Sequence, residues 1–381
     1  MRVAVTTWGC DHGRSGIGRY LAEILSQFEH LNLASRVDLL VDREQSARLG
    51  AMAPSAKRVV TRGREGAPIA DIAWHLASLP RQCARRAVDV LFLPAGNRRL
   101  PAHSPVPTVG TVHDLAPLVL PGKYDASRRV YLNSVLPRLI RRLDRVLTVS
   151  ESSACDIERL VGVARDRIDV VPLGVDRTRY FPRDPDRART VAAEYGIPGP
   201  YLIYVSRLEH PGKNHVRLIE AFDRLRSRVD ERIRLVLAGP DWFRAGEIHA
   251  AAARARFADD IVFPGFVAGA DLPWLVAGAR AACIPSLYEG FGLPVLEAMA
   301  SDVPVACSDR GSLPEVAGDA AANFDATDVE GMAEALESVL FDDELRTRLR
   351  TRGQDRVGRF TWEATARRTW DVLEMAGAGE R

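Results

Sequence analysis

No stretch of the sequence supplies the run of roughly twenty apolar residues that a membrane-crossing helix needs, and the start, Met1-Arg2-Val3-Ala4-Val5, goes straight into a strand-like pattern with no signal-peptide zones before it. Those two absences predict a cytoplasmic chain. Cysteine is scarce: Cys10, Cys83, Cys155, Cys283 and Cys307 stand singly, with no CxxC pair and no histidine cluster at ligand spacing. A disulfide scaffold and a structural metal site are thereby excluded, and reduced, mostly buried thiols are expected. A large excess of either charge is also missing, since the whole chain carries only +2. The balance is unevenly shared. Residues 1–185 hold 28 Lys and Arg against 19 Asp and Glu, a balance of +9, and residues 186–381 hold 24 against 31, a balance of −7. Halves that differ this much are expected to meet different partners; no nucleic-acid partner is expected. With 381 residues, 46% of them hydrophobic, the chain can bury two separate cores.

The stretch from Ala281 to Ala300, AACIPSLYEGFGLPVLEAMA, organises the rest. Ala281 to Ile284 reads as a buried strand, a glycine turn follows, and Pro294 opens a helix, where its missing N–H costs nothing. Gly290 and Gly292 clear side chains from the turn, so the amides of Phe291 to Leu293, helped by the positive end of the helix, can approach a phosphate. Glu289 and Glu297 flank the turn eight positions apart, with Glu297 read as lying in the first helical turn. An ionised carboxylate only accepts hydrogen bonds, so beside a phosphate it is useful when the ligand brings hydroxyls. A nucleotide sugar brings both. Glu297 taken alone could equally complement the helix dipole.

The whole string resembles the E-x7-E signature of retaining nucleotide-sugar glycosyltransferases of the GT-B fold, the large family 4 group in particular. One departure lies nearby: Ser301-Asp302 stands where the family usually has Cys-Gly.

Other motifs extend the resemblance over nearly the whole chain. A glycine loop from Gly9 to Gly18, with Gly13, Gly16 and Gly18, separates a strand at 3–8 from a helical pattern. Its spacing is not G-x-G-x-x-G, which argues against a nicotinamide site. In the family the corresponding GxGRY loop borders the cleft and faces donor and acceptor. His113, in HDLAPLVLP, follows a strand at 108–112, where open α/β sheets bind ligands, and is similar to the family's catalytic-cleft histidine. Arg207 and Lys213, on either side of a turn after the strand at 201–206, can converge on one anion and resemble the family's R-x(n)-KN diphosphate motif. Ser312-Leu313-Pro314-Glu315-Val316 looks like the family's S-x-PE-V segment, with Glu315 also readable as a plain first-turn carboxylate. Asp184-Pro185-Asp186 spells a metal-binding D-x-D but lies in a Pro- and Arg-rich stretch and reads as solvated charge.

Alternating strands (37–41, 89–93, 145–149, 168–171, then 233–238, 261–263 and 303–307) and helical segments predict α/β domains with parallel sheets. The expected architecture is GT-B: two Rossmann-like domains facing each other across a cleft. Residues 1–175 are expected to bind the acceptor and 186–360 the nucleotide-sugar donor, with the stretch to Pro200 as linker and short helix. Residues 361–381 read as an amphipathic helix with Trp362 and Trp370 as apolar anchors, and the resemblance implies that it crosses back onto the first domain. The resemblance implies an enzyme, a hexosyltransferase acting with retention and without a required metal or other cofactor. Its donor would be a nucleotide diphosphate sugar, with GDP-mannose indicated by similarity to mannosyltransferases of surface-polysaccharide assembly. Its acceptor would be a saccharide or a lipid-linked saccharide. In that scheme Arg207 and Lys213 neutralise the leaving diphosphate, Glu297 meets the ribose, Glu289 and the amides of Phe291, Gly292 and Leu293 meet the donor, and His113 contacts the transferred sugar. A sugar-nucleotide phosphorylase or epimerase, or an inactive nucleotide-sugar-binding protein of the same fold, is the alternative. Finally, Arg128, Arg129, Arg138, Arg141, Arg142 and Arg145, interleaved with apolar residues such as Val130, Tyr131 and Leu132, could form an amphipathic helix docking peripherally on an anionic membrane. A core-packed helix with a solvated basic face explains the same pattern.

Overall fold

Short runs of Val, Leu, Ile and Ala, buried along both faces, make the strands, which is the signature of parallel sheets covered by helices on each side. The computed structural model describes residues 1–10, 16–61, 74–98, 100–120 and 131–379. Contacts divide the chain into two units. The first is Met1–Val119, Tyr124–Gly174 and Trp362–Arg381; the second is Leu120–Lys123 and Val175–Thr361.

Among the described residues the first unit holds β1 (Val3–Thr6), β2 (Val37–Val41), β3 (Lys57–Val60), β4 (Val90–Leu93), β5 (Thr108–Thr111), β6 (Arg145–Thr148) and β7 (Ile168–Val170). They pair in parallel in the order β3-β2-β1-β4-β5-β6-β7. The second unit holds β8 (Tyr201–Val205), β9 (Arg234–Ala238), β10 (Ile261–Gly265), β11 (Ala281–Ile284), β12 (Val305–Ser308) and β13 (Ala321–Phe324). Their order is β10-β9-β8-β11-β12-β13. Both are doubly wound, Rossmann-like sheets. Each reverses its strand order once, between β1 and β4 and between β8 and β11, and such reversals open ligand crevices at the carboxyl ends of the strands. The edge strands β3 and β13 were not anticipated. Their patterns, KRVV and AANF, are weakly apolar because an edge strand is only half enclosed.

Residues 176–185, read from the sequence as linker, pack within the second unit. Tyr180 is 1% exposed, and the Arg183 guanidinium lies 4.3 Å from the Trp274 ring centre. Asp184 of the D-x-D sequence caps a helix, Pro185–Glu194, by accepting from the Arg187 amide at 2.8 Å. Its neighbour Asp186 pairs with Arg189. A cap with proline at the first helical position accounts for that motif.

The arginine-rich stretch is not one helix. Tyr131–Val135 and Leu136–Ile140 are helical, but Arg145 begins β6 and bonds Asp169 at 2.8 Å, so it faces no membrane with the others. Leu132, Leu136, Ile140 and Leu143 are buried in the first core, while Arg138, Arg141 and Arg142 are exposed. Arg128, Arg129 and Val130 lie outside the described residues.

A helix labelled here α1 (Gly16–His30) packs on the terminal helix α2 (Trp362–Gly377), whose buried side includes Trp362, Ala366, Trp370 and Leu373. The Trp370 ring meets Phe28 edge to face at 5.1 Å, and Thr365 donates to the Pro172 carbonyl at 2.8 Å. Trp370→Ala would leave a large cavity here and should lower the stability of the first unit by about 3–5 kcal/mol. Arg367→Ala, at the exposed Arg367–Glu363 pair, should cost under about 0.5 kcal/mol. Denaturant titrations of both variants check this; equal, small effects would show that α2 is not part of that core.

Candidate active site

The crevice between β8 and β11 is assembled from backbone pairing first. The loop after β8 lies against the loop after β9, with Leu208 N bonded to Pro240 O at 3.0 Å and Trp242 N to Leu208 O at 3.1 Å. It also meets the loop after β11, where Leu287 N bonds Gly212 O at 2.9 Å. Asn214 ends this loop in the left-handed conformation, φ 60°, which asparagine tolerates better than most residues. Its buried side chain donates to Pro285 O at 2.9 Å and Ala326 O at 2.7 Å. The helix beginning at His215 is thus fastened to the β11 loop. Asn214 was not singled out from the sequence; the Lys-Asn pair before a helix was the available signal.

After β11 the chain turns through Glu289, Gly290, Phe291 and Gly292 into the helix Leu293–Ala300. Gly292 has φ +104°, and a Cβ there would stand 2.7 Å from Leu313 Cδ2. Gly311, φ +60°, lets the neighbouring loop close on Glu289, since a Cβ would lie 2.7 Å from the Glu289 carbonyl oxygen. Ser312 completes the fastening, its hydroxyl 3.0 Å from Glu289 O and 2.8 Å from Phe291 O. The S-x-PE-V segment therefore supports the turn through Ser312. Glu315 is half-buried, and its carbonyl accepts from Arg356.

Two placements differ from expectation. Glu297 is the fifth residue of its helix, not a member of the first turn, and is only 5% exposed. It lines a small cavity with Val205, Ile284 and Pro294. Dipole complementation fades within the first turn, so that explanation of Glu297 no longer serves. Asp302 adopts φ 62°, a left-handed backbone that glycine takes up most readily, and pairs with Arg350.

Electrostatics centre on Lys213 and Glu289. The Lys213 ammonium meets Glu289 Oε1 at 2.6 Å, with side chains 21% and 16% exposed. Burial opposes the lysine's charge, but Glu289, then Tyr204 and Glu209, outweigh it and hold the pKa above the ordinary lysine value. Lys213 stays charged. Arg207 is half exposed, 3.6 Å from Glu209 and 4.9 Å from the Trp242 ring centre. The structure thus joins Lys213 to Glu289 directly and places Arg207 earlier on the same loop, beside Glu209 and Trp242.

In the first unit, Gly16 and Gly18 already belong to α1, not to a loop, and Gly13 lies outside the described residues. His113, 8% exposed, places Nε2 2.9 Å from the Pro94 carbonyl. A carbonyl only accepts, so Nε2 carries the hydrogen and Nδ1 the lone pair. The Tyr20 ring, from the GRY sequence, stands edge-on to the imidazole at 4.8 Å, and its hydroxyl is 3.1 Å from Thr111 Oγ1. Tyr20 was missed as a support for His113.

Burial lowers the His113 pKa to about 4, against smaller opposite pulls from Pro94 and Asp114. The unfolded chain's imidazole takes up a proton below about 6.5, the folded one not until about 4. Stability from this group is therefore complete above pH 6.5 and declines as the pH falls toward 4. In an NMR titration the His113 ring should remain neutral through pH 5. Protonation near pH 6.5 would contradict the buried, Pro94-bonded placement.

With this geometry in place, comparison with known proteins is specific. Residues 192–356 match the family model for glycosyl transferases group 1, and residues 14–179 that for glycosyltransferase family 4. An O-antigen chain mannosyltransferase B of Escherichia coli is 31% identical over 98% of this chain and 100% of its own. An MMP alpha-(1->4)-mannosyltransferase of Mycolicibacterium hassiacum is 34% identical over 63% of this chain and 56% of its own. Among solved structures, Anabaena Alr3699/HepE in complex with UDP and glucose superposes with a TM-score of 0.76 at 19% identity, covering 98% and 99% of the two chains. Sheets of Rossmann order, both family models and a full-length relative agree: the chain belongs to glycosyltransferase family 4, as a GT-B enzyme that transfers a sugar from a nucleotide sugar.

Proposed function

We propose that this glycosyltransferase moves mannose from GDP-mannose, with retention at the anomeric carbon and without a metal, to a saccharide or lipid-linked acceptor. The observation that carries the reading is the convergence of Lys213, Glu289 and a glycine-cleared helix start at the β8/β11 reversal. The mannose assignment is supported by the two mannosyltransferase relatives.

As the bond from the anomeric carbon to the diphosphate oxygen breaks, negative charge grows on the leaving group. Lys213, Arg207 and the amides of Phe291 to Leu293 are assigned to that charge, so their attraction strengthens toward the transition state. Glu289 is assigned to hydroxyls of the transferred sugar and Glu297 to the ribose. His113, neutral and fixed as the Nε2–H tautomer, is assigned to hydrogen-bond the transferred sugar. Charge neutralisation by fixed cations and amides does the work that a divalent ion does in metal-dependent transferases, and the D-x-D sequence is occupied in capping a helix.

Calorimetric titration with GDP, UDP and dTDP tests the donor, with GDP expected to bind best. Glu289→Ala should keep the fold and GDP affinity while lowering kcat by about 100-fold or more, because a misaligned sugar loses the advantage of orientation. Near-normal turnover by Glu289→Ala, with the product linkage determined by NMR, would overturn the central assignment.

We further propose cytoplasmic action at the inner face of a membrane, through peripheral contact with anionic lipid. Arg138, Arg141 and Arg142 are exposed while the intervening leucines are spent in the core, so the contact is electrostatic and needs no inserted apolar face. Each cation near an anionic surface contributes about 1 kcal/mol, and the attraction should fade as salt shortens the screening length. Sedimentation with phosphatidylglycerol-containing and neutral phosphatidylcholine vesicles should show binding only to the former and only at low salt. Binding without that preference, or none, favours a soluble acceptor.

A further inference from the structure

Glu289 is held from the protein side by a pair of hydroxyls, one inside the Ala281 to Ala300 string and one on β8, to which the sequence reading assigned no role. Ser286 Oγ donates to Glu289 Oε1 at 2.7 Å, and Tyr204 OH lies 2.9 Å from Ser286 Oγ. Both residues are enclosed, Ser286 at 0% and Tyr204 at 1% exposure. Hydrogen counting sets the direction. A carboxylate only accepts, so the single Ser286 hydrogen goes to Glu289, and the Ser286 oxygen then takes the single Tyr204 hydrogen.

The relay has a rigid footing. Tyr204 lies on β8 and Ser286 just beyond β11, strands that pair with each other. The Ser286 carbonyl accepts from Ser308 Oγ, at the end of β12, at 2.6 Å. The Tyr204 ring also packs on buried His215 with ring centres 4.9 Å apart. Burial, more than any neighbouring charge, raises the Tyr204 pKa well above the phenol range, so its hydrogen is always available.

We propose that Tyr204 and Ser286 are positioning residues for glycosyl transfer, a two-hydroxyl relay that sets the orientation of the Glu289 carboxylate toward the transferred sugar. The proposal rests on the assignment of Glu289 to that sugar. Its physical logic comes from Lys213, which meets the same Oε1 and is also assigned to the diphosphate. An ammonium shared between a carboxylate and a ligand shifts with the ligand's charge, and a carboxylate aligned by it would shift too. Ser286 is neutral and anchored to three adjacent strands. It keeps Glu289 in place however Lys213 divides its hydrogen bonds, and a well-placed donor is what a buried polar network beside a reacting centre supplies.

Ser286→Ala, Ser286→Thr, Tyr204→Phe, the Ser286→Ala/Tyr204→Phe double variant and Glu289→Ala decide the matter, assayed with GDP-mannose, or with the UDP- or dTDP-sugar that the unmodified enzyme turns over. Calorimetry with the matching nucleoside diphosphate runs beside each assay. Ser286→Ala should lower kcat by about 10- to 100-fold and leave nucleoside-diphosphate affinity unchanged. Tyr204→Phe, which keeps the ring and loses one hydrogen bond, should lower kcat by about 3- to 10-fold. Ser286→Thr should restore most of the turnover. Because Tyr204 acts through Ser286, adding Tyr204→Phe to Ser286→Ala should cost nothing further. Full turnover by Ser286→Ala while Glu289→Ala is impaired would overturn the relay and leave the site assignment standing. Additive losses would also overturn it, by assigning the two hydroxyls separate packing roles. Normal turnover by Glu289→Ala would remove the site assignment and the relay together. Should Ser286→Ala fail to fold, Tyr204→Phe alone carries the test, and an unchanged kcat there overturns the proposal.

Discussion

A parallel sheet whose strand order reverses must leave two neighbouring strands with connections running to opposite sides, the kind of point at which open α/β sheets bind ligands, and in the second unit that point lies between β8 and β11. Much of the second unit's chemistry follows from this one pairing. Lys213 arrives on the loop after β8 and Glu289 on the loop after β11, 76 residues apart in sequence and 2.6 Å apart in space. The Asn214 side chain fastens the first loop to the second through the Pro285 carbonyl, and Gly311 and Ser312, on the loop after β12, close on the backbone of Glu289. The helix Leu293–Ala300 then starts directly after the turn that carries Glu289.

The charge arrangement is economical in a specific sense. Lys213 and Glu289 are each too buried to stand alone, since an isolated charge in such a place is strongly disfavoured. Together they tolerate burial, and the same two groups are of opposite kinds, one suited to phosphate and one to hydroxyls. The proposed donor, with its diphosphate and its sugar, carries one complement for each. In the first unit, His113 illustrates the opposite device: burial keeps the imidazole neutral, so it serves as a directional hydrogen-bonding group and not as a cation.

Legibility in the sequence was high wherever local structure is written in a contiguous string. Glu289 to Leu293, Lys213 beside Asn214, and His113 before Asp114 are local patterns whose turn and helix geometry follows from glycine, proline and strand periodicity. It was lower where charge alone was the signal. The arginines from 128 to 145 read as one amphipathic helix, but Val146 to Thr148 are needed as an interior strand between β5 and β7, and that demand converts Arg145 into a partner for Asp169. The helices Val329–Phe341 and Asp343–Val357 were left unread although Asp328 and Asp342 cap them; the capping residues were visible, but their signal competes with ordinary surface aspartates.

The amino-acid sequence by itself determined the alternation of strands and helices, the glycine-cleared turn before Pro294, and the presence of cations and carboxylates at strand ends, because each depends on a few neighbouring residues. Only the tertiary structure decided which of those ends meet. Strand order placed Lys213 on Glu289 and left Arg207 beside Glu209 and Trp242; helix phase moved Glu297 into a buried second turn. Ser286 and Tyr204 are ordinary residues in sequence, 82 positions apart. Their alignment behind Glu289 exists because β8, β11 and β12 lie side by side, a long-range pairing that no local pattern encodes.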